Sequence, residues 1–296
     1  MTDAMIVLVA LPLAGALATL LLPRSATAVA IGTGLATTVA AGLLLFGVAT
    51  HGALHYEIGG WSAGLGIALR ADGLSALLLM MTALVALAAS VYASAYFNTA
   101  SERGRFWPLW LLLWTALNAL LLSGDLFNLY VTLELLGLSA VALASLSGKR
   151  AAVAAALRYL LVGLLGSMMF LAGVSLLYAG YGTLDLATLA RVIEAGPVTW
   201  TALALMTAGL LLKTALFPLH FWLPPAHASA PAPVSAVLSA LVVKAAFYLV
   251  LRLWLDVFAT VVTPAAANLL GLLGAGAVIW GSWHALQAER LKLLAA

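Results

Sequence analysis

Nine times along the chain, about twenty residues pass with almost no charge, and that repetition limits the fold more than any motif does. The hydrocarbon core of a bilayer is ~30 Å thick, so a helix rising ~1.5 Å per residue needs about twenty apolar residues to cross it. Inside lipid the backbone must satisfy its own polar groups, and runs of this length without alternation select helices over barrel strands. The windows fall at about 4–22, 27–49, 72–97, 107–123, 125–147, 151–180, 198–222, 232–255 and 261–285. The expectation is an all-α polytopic transmembrane bundle of about nine helices. Composition agrees: of 296 residues, 65% are hydrophobic and 8% charged, against about 25% charged in soluble domains, and mean hydropathy is +1.14.

Several function classes drop out at this point. Without cysteine the chain offers no thiolate for an iron–sulfur cluster, no disulfide and no thiol nucleophile. None of its five histidines stands in an HExxH spacing, and His51 and His55, four apart beside Gly52, read as an interfacial loop rather than a metal site. No redox or hydrolytic site is expected in the chain, and no cofactor. The net charge of +3 is dispersed over loops, with no basic tract for nucleic acid. Met1 to Leu22 carries Asp3 where a signal peptide carries positive charge, so it is expected to be a retained first span. Alternate loops place Arg24, Arg103, Arg105, Lys149, Arg150, Arg290 and Lys292 on one side and Arg70, Arg191 and Arg252 on the other. Seven against three predicts a cytoplasmic first side, an outside N-terminus and a cytoplasmic C-terminus.

Against this background three charged residues stand out inside spans: Glu134, Lys213 and Lys244. A charge at the centre of a membrane helix costs about 2.5–3.5 kcal/mol on insertion scales, so something must offset it. Lysines near a helix end reach the interface by snorkelling, but each of these has ten or more mostly apolar residues before it. The polar-interior reading places an acid and two amines at similar depth, with Arg158 of the sixth span as a further basic candidate, in a row able to exchange protons. A buried amine that can lose its proton can also relay one. The alternatives are static ion pairs and snorkelling. His220 and His227 flank Pro224 and Pro225; His220 is a candidate extension of the row, with a hydrogen-bonded loop histidine as the other reading.

Five prolines crowd the connection after Lys213. Pro218 removes an intrahelical hydrogen bond and its ring meets the carbonyl of Thr214, so the seventh span is expected to break one turn after Lys213, with Pro224 and Pro225 extending the break. Freed carbonyls in a membrane helix face protein or water, which predicts a hydrated pocket beside the lysine. Gly163 and Gly166, and Gly271, Gly274 and Gly276, are expected to permit close helix packing. Trp61, Trp107, Trp200, Trp222, Trp254 and Tyr96 lie near span ends, where aromatic belts are expected.

Taken together, GDLFNLYVTLELLGLSAVAL, ALRYLLVGLLGSMMFLAGVSLLYAGYGTL, the Lys213-to-Lys244 segment and HALQAERLKLLAA resemble the antiporter-like membrane subunits of respiratory complex I, membrane-bound hydrogenases and Mrp-type cation/proton antiporters. FPLHFWLPPAHASAPAPVSA and the 31-residue spacing between the lysines look closest to the D-type subunits of Mrp antiporters. The resemblance spans about residues 70 to 296, dividing the chain into an N-terminal pair of helices (1–70) and an antiporter-like domain (71–296). It implies proton translocation in a multi-subunit antiporter of protons and a monovalent cation such as Na+, or in an NADH:quinone oxidoreductase or hydrogenase complex of the inner membrane. It also implies other membrane subunits as partners. Glu134 matches a fifth-helix glutamate paired with a broken-helix lysine, Lys213, and Lys244 matches the eighth-helix lysine that passes protons onward; Arg158 and His220 fall at positions that are often polar or basic. The family fold has two inverted five-helix repeats, and the chain matches the first, stopping near the end of the ninth helix.

Overall fold

The computed structural model describes residues 3–61 and 66–288. Eight helical stretches are long and apolar enough to cross a membrane: α1 (Asp3–Leu21), α2 (Ala26–His51), α3 (Gly73–Tyr96), α4 (Ala100–Leu122), α5 (Leu126–Ala144), α6 (Arg150–Tyr181), the run Ala232–Val257, and α12 (Pro264–Leu286). Between α6 and α12 the chain also forms α7 (Leu186–Val192), α8 (Pro197–Lys213) and α9 (Leu223–Ser229). Eight long stretches and the short apolar α8 account for the nine expected spans, and the seventh is the broken one.

At the centre lies α4, whose Trp107, Trp110 and Trp114 are all fully buried. Two of the three indole N–H groups find partners inside the bundle, and that of Trp114 has none among the described residues. Trp107 Nε1 donates to Thr27 Oγ1 at 3.0 Å, and Trp110 Nε1 donates to Ser90 Oγ at 2.8 Å. These bonds tie α4 to α2 and α3, so Trp107 is a core residue and not a belt residue. Trp222 is buried as well, whereas Trp61, Trp200 and Tyr96 are exposed. On the far side of α4, Pro12 inside α1 supplies no N–H to the carbonyl of Leu8. Asn118 of α4 fills that gap, its Nδ2 donating to Leu8 O at 2.7 Å.

Between the second and third spans, where His51 and His55 read as an interfacial loop, the chain builds an antiparallel hairpin, β1 (Leu54–Glu57) paired with β2 (Ala68–Ala71). His51 and His55 are exposed at its entry, and no group of three or more metal-ligating side chains occurs among the described residues. The hairpin leads into a capping box at Asp72 that starts α3. A second box, Thr99 with Glu102, starts α4 at Ala100, so the helix begins before the expected window at about 107–123. The C-terminal residues 289–296, including Arg290, Lys292 and most of HALQAERLKLLAA, lie outside the described residues.

The run Ala232–Val257 is not uniform. It passes through α10 (Ala232–Val237), a π-helical turn (Leu238–Val242), α11 (Val243–Arg252) and a second π-helical turn (Leu253–Val257). Each π turn inserts a residue into the helical period and redirects the faces that follow.

Candidate functional site

Glu134 is the ninth residue of the nineteen in α5, about 12 Å of helix from its start at ~1.5 Å per residue. Its side chain enters a crevice between α5, α6 and α8. Lys213 Nζ donates to Glu134 Oε1 at 3.0 Å, forming an ion pair whose side chains are 9% and 19% exposed. Ser167 of α6, fully buried, donates its hydroxyl to the same oxygen. A carboxylate accepting charge-assisted bonds from an amine and a hydroxyl has much of its lost hydration replaced.

Backbone proximity allows the lysine to reach that oxygen. Helices α6 and α8 meet through Gly166 and Gly209, and a Cβ on Gly166 would stand 2.7 Å from Gly209 O and 3.2 Å from Lys213 Cγ. Only a residue without a side chain permits this approach. Gly163 has no such neighbour and lines the cavity instead; Gly271 and Gly274 have none either, and Gly276 faces the Phe217 ring.

The helix ends at the lysine itself, a turn earlier than the proline argument placed the break. Thr214 caps α8, and Ala215 adopts φ +53°, a left-handed conformation that terminates the helix and disfavours a residue with a Cβ. Pro218 follows, after a cis peptide bond with Phe217. Pro224 and Pro225 sit in the first turn of α9, where missing N–H groups cost nothing, so they begin a helix and do not extend the break. The Leu212 carbonyl at the break accepts from Trp222 Nε1 at 3.0 Å, and Trp222 stacks on Tyr159 with ring centres 4.4 Å apart.

Beside the pair lies a cavity of about 30 Å³ lined by Glu134, Lys213, Tyr159, Gly137, Val242 and Ala246, among others. That is room for about one water molecule, with polar groups to hold it. Val242 and Ala246 lie two residues either side of Lys244, so the helix carrying Lys244 forms one wall. The Lys244 amine itself does not enter the cavity. It is exposed and turns back to donate to the Ser239 carbonyl of the preceding π turn.

The structure therefore joins Glu134 to Lys213 and leaves the other candidates apart. Arg158 is exposed on α6 and lines no part of the cavity. His220 stacks on Phe217 at 5.7 Å, and its Nδ1 is buried without a partner among the described residues. His227 is buried within electrostatic reach of Lys244. Sequence reasoning missed Ser167 and Tyr159. A hydroxyl and a phenol among apolar residues carry no signal until the packing of α5 on α6 is known.

Residues 123–296 match the NADH:quinone oxidoreductase/Mrp antiporter transmembrane family, more than half of the chain. This chain belongs to that family. Members similar to it include the N-type subunit of NADH-quinone oxidoreductase from Desulforudis audaxviator (strain MP104C), 40% identical over 249 residues, which cover 81% of this chain and 49% of the relative. The D-type subunit of a probable K(+)/H(+) antiporter from Rhizobium meliloti (strain 1021) is also 40% identical, over 210 residues covering 69% of this chain and 38% of the relative. Among solved structures, a chain of the membrane-bound sulfane sulfur reductase, an archaeal respiratory membrane complex, superposes with TM-score 0.89 at 30% identity, covering 98% of this chain and 61% of that one. The chain thus spans about half the length, or less, of these curated family members.

Proposed function

We propose that the chain is the proton-translocating membrane subunit of a multi-subunit monovalent cation/proton antiporter, similar to the D-type subunit of Mrp antiporters, with other membrane subunits as partners. The observation that carries this reading is the 3.0 Å contact of Lys213 with Glu134 at the break after α8, beside a cavity of water size. On this reading residues 71–296 form the translocating unit, the N-terminus lies outside, and Na+ is the exchanged cation. Pairing with Glu134 favours the protonated form of Lys213, and loosening the pair releases the proton. Water in the cavity gives it a first acceptor, and Lys244, whose helix forms the adjoining wall, takes it onward once its amine swings in from Ser239 O. Because the Lys244 amine lies on the surface of this chain, its next partner belongs to a further segment or a neighbouring subunit. Arg158 and His220 have supporting roles at most, since neither reaches the pair.

A second reading places the chain in an NADH:quinone oxidoreductase-type complex, favoured by 40% identity to an N-type subunit over the longer aligned stretch. There the chain would pump while other subunits hold the redox centres. Exchange assayed in everted vesicles carrying the assembled complex tests both readings. Lys213→Ala and Glu134→Ala are each expected to abolish Na+/H+ exchange while leaving assembly intact. Wild-type exchange in both variants would refute the relay. Absence of exchange in the wild type, with quinone-linked proton pumping that both variants lose, would select the second reading.

A further inference from the structure

On the basic face of the bundle, where α3 and α5 end and α4 and α6 begin, two cavities of opposite character adjoin. One, of about 450 Å³, is polar over about half of its lining, which includes Arg105, Lys149, Glu102, Ser147 and Tyr96. Its neighbour, of about 520 Å³, is largely apolar and is lined by Leu20, Pro108, Leu109 and Ala142, among others. Arg105 and Leu146 line both, so the two cavities abut at those side chains and offer a groove with a charged end and an oily end.

The charges at the polar end are available. Arg103, two residues away, is spent on the carbonyls of Phe97 and Asn98 at 2.8 and 3.2 Å. Arg105 makes a single long bond to Ser101 O at 3.3 Å, and the Lys149 amine has no partner among the described residues. Glu102 also lines the cavity; its carboxylate is held by the backbone N–H and hydroxyl of Thr99 at 3.2 and 2.9 Å and lies within electrostatic reach of Arg105, so it offsets part of one cation. Two cations against one committed anion leave the cavity positive. Lys149 caps α6 without a side-chain acceptor, so the first-turn N–H groups beside the cavity-lining Ala151 and Ala152 add to that field.

We propose that this groove binds one anionic phospholipid, its phosphate between Arg105 and Lys149 and an acyl chain along Leu20, Leu109 and Ala142. The apolar half decides between a lipid and a free anion. Inorganic phosphate satisfies only the polar cavity, whereas a phospholipid fills both. Basic pockets between membrane helices recognise acidic headgroups through such fields, and the bound lipid would clamp α1, α4, α5 and α6 together at that face.

Native mass spectrometry of the detergent-purified 296-residue chain, titrated with phosphatidylglycerol or phosphatidylcholine, tests the site. The double variant Arg105→Ala/Lys149→Ala is expected to bind phosphatidylglycerol about tenfold or more weakly, with phosphatidylcholine binding unchanged. Arg191→Glu, which lowers the net charge by the same two units on the opposite side of the bundle, should bind as the wild type does. Ala142→Leu narrows the apolar half with every charge in place and should also weaken phosphatidylglycerol. Excess inorganic phosphate should leave the bound lipid in place. The proposal is overturned if the Arg105/Lys149 variant or Ala142→Leu retains wild-type affinity, if Arg191→Glu loses as much, or if inorganic phosphate displaces the lipid.

Discussion

Glu134 Oε1 accepts from two donors on two different helices, and removing each donor has a different consequence. Without Lys213 the carboxylate keeps the Ser167 hydroxyl but loses its counter-charge, which ends the proposed relay. Without Ser167 the ion pair survives with a freer carboxylate, because the hydroxyl fixes the oxygen that the amine must find. A hydrogen bond to a charged group contributes about 1.5–3 kcal/mol. Ser167→Ala should therefore slow exchange about tenfold while the complex assembles normally, and Ser167→Thr, which retains a hydroxyl, should recover part of the rate. Equal rates in wild type and Ser167→Ala, measured in the same vesicles, would remove the serine from the site. Lys213 and Glu134 were visible in the sequence because charge inside an apolar run is conspicuous. Ser167 was not, since serines bonded to their own helix, such as Ser90 to Ala86 O, are ordinary.

Helices α6 and α8 carry the site only because they approach at Gly166 and Gly209. Adding a Cβ at Gly166 places it 2.7 Å from backbone, which cannot rotate away as a side chain can. Gly166→Ala should push the helices apart at a cost of about 1–3 kcal/mol, lowering the melting temperature of the purified chain and lengthening the Lys213–Glu134 contact. Gly163→Ala, with open space around it, is the matched control. Unchanged melting in Gly166→Ala would show that α8 can shift without loss. The glycine pattern suggested close packing in several places but could not say which glycines meet another backbone. Other elements left clearer traces. Thr99 and Glu102 have the three-residue separation of a capping box, which marks the start of α4 within an apparently polar loop. The hairpin β1–β2 and the two π turns left none, because short strands beside a membrane span and one-residue insertions in a helix are set by their tertiary neighbours.

Across the whole molecule, one charge cluster joins the hairpin and the start of α3 to the end of α11. Arg252, at the end of α11, bonds to Asp72, 180 residues earlier at the start of α3, and to Asp256 at 3.0 Å. Arg70 of the hairpin lies 3.3 Å from Asp72 and 3.7 Å from Asp256. Arg252 Nε also donates to the Tyr248 hydroxyl at 2.8 Å, which donates in turn to the Leu121 carbonyl of α4 at 3.2 Å. The hairpin, α3, α4 and α11 are thus fastened at one face, on the helix that carries Lys244. Burial opposes ionisation of Asp72, but hydrogen bonds from Arg252 and the Ser75 backbone, with the charges of Arg252 and Arg70, outweigh it and hold the carboxyl at about 2, below 3.8. A carboxyl depressed on folding stabilises the fold fully above its unfolded value and ceases to do so as pH falls through its folded one. The melting temperature of the purified chain should accordingly lose this contribution between about pH 4 and pH 2. Asp72→Asn should be less stable at neutral pH and should decline less steeply across that window. An identical decline in wild type and Asp72→Asn would assign the acid sensitivity to other carboxylates and leave the clamp without energetic weight.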